Sequence, residues 1–282
     1  MQRPSTFDFR LGLVGYPLSH SLSPKIHAAA LDACGLQGDY SLFPIHPEDK
    51  QALKDLLTRV RAGDLHGLNV TIPHKQNVIG LMDELTPTAE AIGAVNTIYL
   101  RNNKLIGDNT DAQGFLTDMK RVFDYSSFIL EPSSLVLGAG GSARAVVYAL
   151  ANDGWNVTLA ARRLEQAQQL ANSFTNHELR ITTFNLQYLT FDLIVNATPL
   201  GMTPSIESSP LPENTVLSKS TFVYDLVYNP RETKLVKSAR AQGLNATTGL
   251  GMLIEQAALS FEIWTGYTPP RDQLLRSVET DH

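Results

Sequence analysis

The stretch Leu135-Val136-Leu137-Gly138-Ala139-Gly140-Gly141-Ser142-Ala143 constrains the fold more than any other part of this chain. An apolar strand runs directly into a G-x-G-x-x-A turn and from there into a helix over 143–152, which Gly154 closes. Each small residue has a physical reason. The first glycine permits the tight turn, the second lets the backbone approach a pyrophosphate, and Ala143 lets helix and strand pack closely. The helix N-terminus adds N–H donors and the positive end of its dipole. The turn therefore reads as a dinucleotide cradle, the alternative being an ordinary tight βα turn.

Short apolar runs alternate with helical patterns through the rest of the chain, which predicts an α/β fold with mostly parallel strands. In the first half, strands are expected at 9–15, 40–45 and 67–72. A helix opens at Ser23-Pro24, with Ser23 as the capping hydroxyl and Pro24 at the first helical position. Cys34 closes that helix as a packed thiol before Gly35. Leu53, Leu56, Leu57 and Val60 form the stripe of a second helix, stopped by Gly63. Segments 95–100 and 104–106 form a hairpin through Asn102-Asn103, and a helix follows over 112–122. Residues 125–134 read as a linker. A new βαβ series then places strands at 135–137, 157–160, 191–196 and 222–225, and a last helix at 252–264 after the Gly249-Leu250-Gly251 turn.

The cofactor's identity depends on the end of the strand that follows the glycine turn, roughly 20 residues on. An NAD site usually carries Asp or Glu there to bind the ribose 2′-hydroxyl. This chain reads Leu159-Ala160-Ala161-Arg162-Arg163, with no carboxylate between Asp153 and Glu165. Two guanidiniums suit a 2′-phosphate through charge-assisted hydrogen bonds, so NADP is expected.

Open α/β sheets bind ligands beyond the carboxyl ends of their strands. Four polar loops are expected at such positions: 15–24, with three serines, then 69–75, 93–97 and 107–111. Hydroxyls beside a helix start can seat a small carboxylate, the alternative being plain capping by Ser23. Asn69 and Thr71 share a strand face, and Lys75 lies just past the strand's end. Near a buried site such a lysine can transfer protons; opening a helix, it would be a solvated charge. Asp111, just before a helix, reads in isolation as an N-cap.

Composition excludes other classes. Lys and Arg number 23 against 28 Asp and Glu, a net charge of −5 with no basic tract, so nucleic acid is not an expected partner. A single cysteine rules out an internal disulfide framework and suggests a reducing compartment. No apolar run approaches the ~18 residues of a membrane span, and Asp8 and Arg10 interrupt any leader-like start, so the cytoplasm is expected. The seven histidines form no metal-binding spacing, and there is no G-x-S-x-G nucleophile element.

Taken together, the motifs resemble the shikimate dehydrogenase family along nearly the whole chain. HSLSP at 20–24, NVTIPHK at 69–75, GAVNT at 93–97 and GDNTD at 107–111 match in order. GAGGSARA at 138–145, NATPLGM at 196–202, DLVYNP at 225–230 and GLGMLIEQAA at 249–258 continue the series. The resemblance implies reduction of 3-dehydroshikimate to shikimate with NADPH, in aromatic amino-acid biosynthesis. It implies that Ser21 and Ser23 bind the substrate carboxylate, that Thr71, Asn96, Tyr228 and Gln256 contact the substrate, and that Asn69 shapes the pocket. Lys75 and Asp111 match the catalytic pair. Gly138, Ala139, Gly140, Gly141 and Ser142 would hold the pyrophosphate, Arg162 and Arg163 the 2′-phosphate, and Leu226 and Gly249 would flank the nicotinamide. The implied architecture is a substrate-binding and catalytic α/β domain over 1–111 and a Rossmann-type NADP domain over 112–248. A helical segment over 249–282 then returns to the first domain, placing the site in the interdomain cleft. The expected partners are small molecules, with a homodimer left open.

The sequence departs from the family pattern at Ala28, where members often have Asn after the helix's His27. It departs again at Ala161-Arg162-Arg163, where many have Asn-Arg-Thr, and Leu226 stands where some relatives carry Met. Two alternatives compete with this reading. Quinate-specialised relatives often replace the second serine of the first motif by threonine and favour NAD, against which Ser23 and the arginine pair both argue. A non-catalytic NADP-binding regulator of the same fold could lose the catalytic pair, which this chain keeps.

Overall fold

The structure is a computed structural model and describes residues 8–123, 131–174, 177–183 and 188–279. The chain divides into two compact units, Met1–Thr110 with Ile254–His282, and Asp111–Leu253.

The first unit contains β1 (Asp8–Gly15), α1 (Ser23–Ala33), β2 (Gln37–Pro44), α2 (Lys50–Arg61), β3 (Gly67–Val70), β4 (Glu84–Leu85), α3 (Pro87–Ile92), β5 (Thr97–Arg101) and β6 (Lys104–Asp108). Its sheet runs β2-β1-β3-β5-β6-β4. β1 is parallel to β2 and β3, and β4 to β6, while β5 is antiparallel to both of its neighbours. The β5–β6 hairpin turns on Asn102 and Asn103, both left-handed at φ 52° and 61°. Asparagine tolerates that region, and the twist of such a turn matches the twist of the flanking strands. α2 starts where the Asp49 carboxylate accepts the Ala52 N–H at 2.9 Å. Its buried stripe of Leu53, Leu56, Leu57 and Val60 packs with Leu68, Val70, Ile98 and Leu105 of the sheet. Burying each such side chain stabilises the fold by about 1.5–3 kcal/mol. Cys34 is the half-buried C-cap of α1 rather than a core thiol, and burial raises its pKa.

The second unit follows with α4 (Asp111–Val122), β7 (Ser133–Leu137), α5 (Gly141–Asn152), β8 (Asn156–Ala160), α6 (Leu164–Ser173), β9 (Arg180–Thr182), β10 (Tyr188–Leu189), β11 (Leu193–Asn196), β12 (Val216–Leu217), β13 (Phe222–Asp225), α7 (Lys234–Ala241) and β14 (Ala246–Thr248). Six of these strands make a wholly parallel sheet, β14-β13-β11-β7-β8-β9. The chain moves outward from β7 to β9, then returns to build the other half from β11. Strand order thus reverses between β7 and β11, the position where such sheets bind nucleotides. Of the expected linker, 125–130 lies outside the described residues. Ser133 and Ser134 are instead strand, because the Ser133 N–H and hydroxyl donate to Asp192 at 2.9 and 2.7 Å and fix the register.

The C-terminal region forms α8 (Leu250–Thr265) and α9 (Arg271–Glu279). The sequence reading contains no α9: only Leu274 and Val278 are buried on it, too sparse a stripe to recognise. It packs against α1, and its Arg271 pairs with Glu255 at 3.2 Å and Glu262 at 2.6 Å on α8.

Candidate active site

In the first unit, strand direction decides which loops meet. β5 runs opposite to β3, with Asn69 paired to Thr97, so the residue entering β5 lies at the carboxyl end of β3. β6 reverses again, which brings 109–110 to the same end. Backbone bonds tie these segments together: Tyr16 N–H to Ile72 O at 2.9 Å, Val70 N–H to Asn96 O at 2.8 Å, Val95 N–H to Lys75 O at 2.8 Å and Asn96 N–H to Asp108 O at 3.0 Å. The sequence reading placed all four polar loops beyond strand carboxyl ends. The loop at 93–97 instead enters an antiparallel strand from its amino end, and reaches the same place by that route.

The structure removes two of the competing assignments. Ser23 does not cap α1. The cap position is Leu22, in helical conformation and without a side-chain cap bond, while the Ser23 N–H donates to Ser21 Oγ at 3.3 Å. Ser23 is buried beside Ser21, its hydroxyl spared the capping role. Nor does Lys75 open a helix. Residues 72–78 form consecutive turns, braced by the buried His74, whose Nε2 lies 2.8 Å from Ile45 O. Lys75 is half-buried on these turns. Thr71 lies against Gly15, where a Cβ would overlap the threonine methyl. Asp111 is the buried first residue of α4.

Asn69 and Asn96 belong to a buried polar network. Asn69 Oδ1 accepts from the Tyr40 hydroxyl at 2.8 Å, and its Nδ2 donates to Asn96 O at 3.1 Å and Ser260 Oγ at 3.0 Å. Asn96 Oδ1 accepts the Thr110 N–H at 2.8 Å, and its Nδ2 donates to Thr110 Oγ1 at 2.9 Å and Gln256 Oε1 at 3.3 Å. His27 stacks on Tyr40 with ring centroids 4.2 Å apart, and burial lowers its pKa to about 3, keeping it neutral. Tyr40, Thr110 and Ser260 have no role in the sequence reading. The spacing of Ser260, four residues beyond Gln256 on one helix face, is the signal that could have found it.

In the second unit, Gly138 follows β7 at φ 117°, a conformation that L side chains rarely adopt, and its Cβ would meet Ala197 O at 3.0 Å. Gly140 is the N-cap of α5 in extended conformation, with open space where its Cβ would be. No acidic residue occupies the first turn of α5, so an anion there meets the helix dipole unopposed. Ala139, Gly141 and Ser142 complete this turn, and Ala143 beneath it is fully buried. Arg162 and Arg163 leave β8 exposed to solvent, Arg163 as the N-cap of α6. An open cradle above a helix N-terminus, with two arginines at the next strand's end, fits a phosphorylated dinucleotide.

Leu226 and Gly249 are brought together, since a Cβ on Gly249 would overlap the Leu226 carbonyl. Two residues on, Tyr228 is half-buried and desolvation raises its phenol pKa. Beneath them Asp225 is fully buried and accepts from Asn196 Nδ2 at 2.8 Å, Val227 N–H at 3.0 Å and Thr233 Oγ1 at 2.7 Å. Burial raises its pKa to about 6 against these three bonds. Among the described residues, no group of three or more His, Cys, Asp and Glu is placed to hold a metal, and no helix is long and apolar enough to cross a membrane.

Ser21, Ser23, Asn69, Thr71, Lys75, Asn96 and Gln256 thus fall in the first unit, and Asp111, Tyr228 and the cofactor residues in the second. Family models described as the shikimate dehydrogenase substrate binding domain, shikimate/quinate 5-dehydrogenase and the shikimate 5′-dehydrogenase C-terminal domain match residues 13–98, 126–240 and 249–279. The shikimate dehydrogenase (NADP(+)) of Bacillus subtilis is 40% identical over 272 residues, covering 95% of each chain. The shikimate 5-dehydrogenase of Thermus thermophilus, solved with NADP(H) and shikimate, is 37% identical with a TM-score of 0.84, over 95% of this chain and 98% of that one. A quinate dehydrogenase of Corynebacterium glutamicum, solved with NAD, is 31% identical with a TM-score of 0.83, over 96% of this chain and 98% of that one. Three matched models in family order, and a relative this similar over nearly its full length, place the chain in the shikimate dehydrogenase family.

Proposed function

We propose that this protein is an NADP-dependent shikimate dehydrogenase that reversibly reduces 3-dehydroshikimate to shikimate, with substrate on the first unit and cofactor on the second. The observation that carries the reading is the gathering of serines, amides, a threonine and a lysine at one end of the first unit's sheet. These groups suit a small polyhydroxylated carboxylate. Ser21 and Ser23, the latter relieved of capping, donate to the carboxylate. Thr71, Asn96, Tyr228 and Gln256 orient the ring hydroxyls, and Asn69 shapes the floor.

NADP, when bound, supplies the hydride acceptor for oxidation and the hydride donor for reduction. The backbone turn from Gly138 to Ser142 would hold its pyrophosphate, Arg162 and Arg163 its 2′-phosphate, and Leu226 and Gly249 would flank its nicotinamide. As C3 of shikimate is oxidised to a ketone, the oxygen on C3 must release its proton, and in reduction that oxygen must gain one. Lys75 and Asp111 are assigned to that proton, Lys75 at the C3 oxygen and Asp111 in support. The reaction is placed in the cytoplasm, where a lone thiol such as Cys34 stays reduced.

Following NADPH absorbance with shikimate and NADP⁺ tests the reading, with quinate and NAD⁺ as parallel arms. The expected result is shikimate-dependent reduction of NADP⁺, with quinate and NAD⁺ each poorer. Lys75→Ala should lower kcat by at least ~10²-fold with little change in shikimate KM. No turnover of shikimate by the native protein, or near-native kcat in Lys75→Ala, would overturn the assignment.

A further inference from the structure

We infer that the hydroxyl of Ser260 is a positioning group for the substrate-binding face, locking the Asn69 amide and the Gln256 turn of α8 in one arrangement. The inference rests on the functional reading of that face. Ser260 is fully buried on α8, where a hydroxyl is costly unless its hydrogen bonds are made. Here partners from three separate parts of the first unit lie within hydrogen-bond reach. Ser260 Oγ accepts from Asn69 Nδ2 at 3.0 Å, on β3. It lies 2.8 Å from Thr97 Oγ1, on β5, and 3.1 Å from Thr110 Oγ1, after β6. It also reaches the carbonyl of Gln256 at 3.0 Å, one helical turn back.

One consistent assignment of hydrogens satisfies this centre. Asn69 Nδ2 donates to Asn96 O and to Ser260 Oγ. Ser260 donates to Thr97 Oγ1, and Thr97 donates to Asn96 Oδ1 at 2.9 Å. Thr110 donates to the Gln256 carbonyl at 3.1 Å and accepts from Asn96 Nδ2 at 2.9 Å. Each polar side chain then has one orientation, because a flipped amide at Asn69 would set a carbonyl against Asn96 O. The hydroxyl also fixes rotation of α8 at Gln256, since Thr97 holds Ser260 and Thr110 holds the Gln256 carbonyl one turn back. None of these three hydroxyls is assigned to touch the substrate; they act through Asn69, Asn96 and Gln256. With Ser260 removed, the next acceptor for that Asn69 hydrogen is Thr97 Oγ1, at a marginal 3.5 Å.

The test is steady-state kinetics of Ser260→Ala with each substrate varied in turn. Shikimate KM should rise about fivefold, the change that corresponds to one hydrogen bond's net contribution. NADP⁺ KM and kcat should stay within about twofold of native. Should Ser260→Ala fail to give a cooperative thermal transition, Ser260→Cys fills the site without a comparable acceptor and should give the same split. An unchanged shikimate KM, or equal rises for both substrates, would overturn the inference while leaving the enzyme assignment standing. A native protein inert toward shikimate would instead overturn the assignment, and the inference with it.

Discussion

Replacing Asp225 by asparagine should make the protein more stable at pH 8 and flatten its stability profile between about pH 4 and 6. The carboxylate at the end of β13 is fully buried. Bonds from Asn196, Val227 and Thr233 favour its charged form, but desolvation outweighs them and raises its pKa from 3.8 to about 6. In the window between those values the native state binds more protons than the unfolded chain. Stability therefore falls as pH rises through the window, the reverse of the usual salt-bridged carboxylate. At about 1.4 kcal/mol per pH unit, the ionised native form at pH 8 carries a cost of about 3 kcal/mol.

An asparagine fits the same bonds. Its oxygen can accept from Asn196 Nδ2 and the Val227 N–H, and its amide can donate to Thr233 Oγ1. The Thr233 hydroxyl then loses its acceptor, at a cost of about 1 kcal/mol. The net expectation is a gain of about 2 kcal/mol at pH 8 and a loss of about 1 kcal/mol at pH 4. At roughly 2–4 °C per kcal/mol, Tm at pH 8 should rise by about 4–8 °C. Thermal unfolding of both proteins by circular dichroism across pH 4–8 measures this. Parallel Tm profiles, without a crossing as pH falls, would show that Asp225 keeps an ordinary carboxyl pKa and that the argument from burial is wrong.

Arg162→Ala should raise KM for NADP⁺ and leave that for NAD⁺ nearly unchanged, reducing a native NADP⁺ preference in kcat/KM of about 10²-fold or more; a native enzyme using both cofactors equally would sink the assignment. Ser23→Ala should raise shikimate KM by about 10–100-fold, the cost of losing a donor to a charged acceptor. Its Tm should barely change, because Ser23 caps nothing; a lowered Tm with unaltered KM would return it to a structural role. Gly251→Ala should destabilise by about 3–5 kcal/mol or prevent folding. Its Cβ would overlap the buried Asp118 carboxylate, which holds Tyr224 OH at 2.5 Å and pairs with Arg121; a native-like melting curve would refute that.

The cradle was legible in the sequence because its function resides in the backbone. A turn with φ 117° at Gly138 and an open approach at Gly140 demands glycine, and the demand shows in the letters. The α2 stripe was legible for a similar reason, since its contacts follow the helical period. The orientation of β5 was not, because a hairpin's strand pattern does not say which way it enters a sheet. Whether Lys75 opens a helix stays undecided in the sequence because the turns around it depend on His74 reaching Ile45, a contact 29 residues away. Ser260 was missed for the same cause: its partner Asn69 is 191 residues distant, and only its spacing from Gln256 marks it locally.

The two units thus build recognition from different materials. In the second, the groups proposed for the cofactor are backbone N–H groups and a helix dipole, whose direction is fixed as soon as the turn forms. In the first, the groups proposed for the substrate are side chains, and each must be oriented by another. Asn96 is held by Thr110 and Gln256, Asn69 by Tyr40 and Ser260, and Ser260 by Thr97. Such a network orients its donors before substrate arrives, so little ordering entropy remains to be lost on binding. It also concentrates risk. Changing one buried hydroxyl should disturb several of these groups at once, whereas changing an exposed arginine at the end of β8 should act at one cofactor phosphate alone. Substitutions behind the first unit's pocket should therefore alter substrate KM more than their distance from the substrate suggests, while those around the cradle should act only where they touch the cofactor.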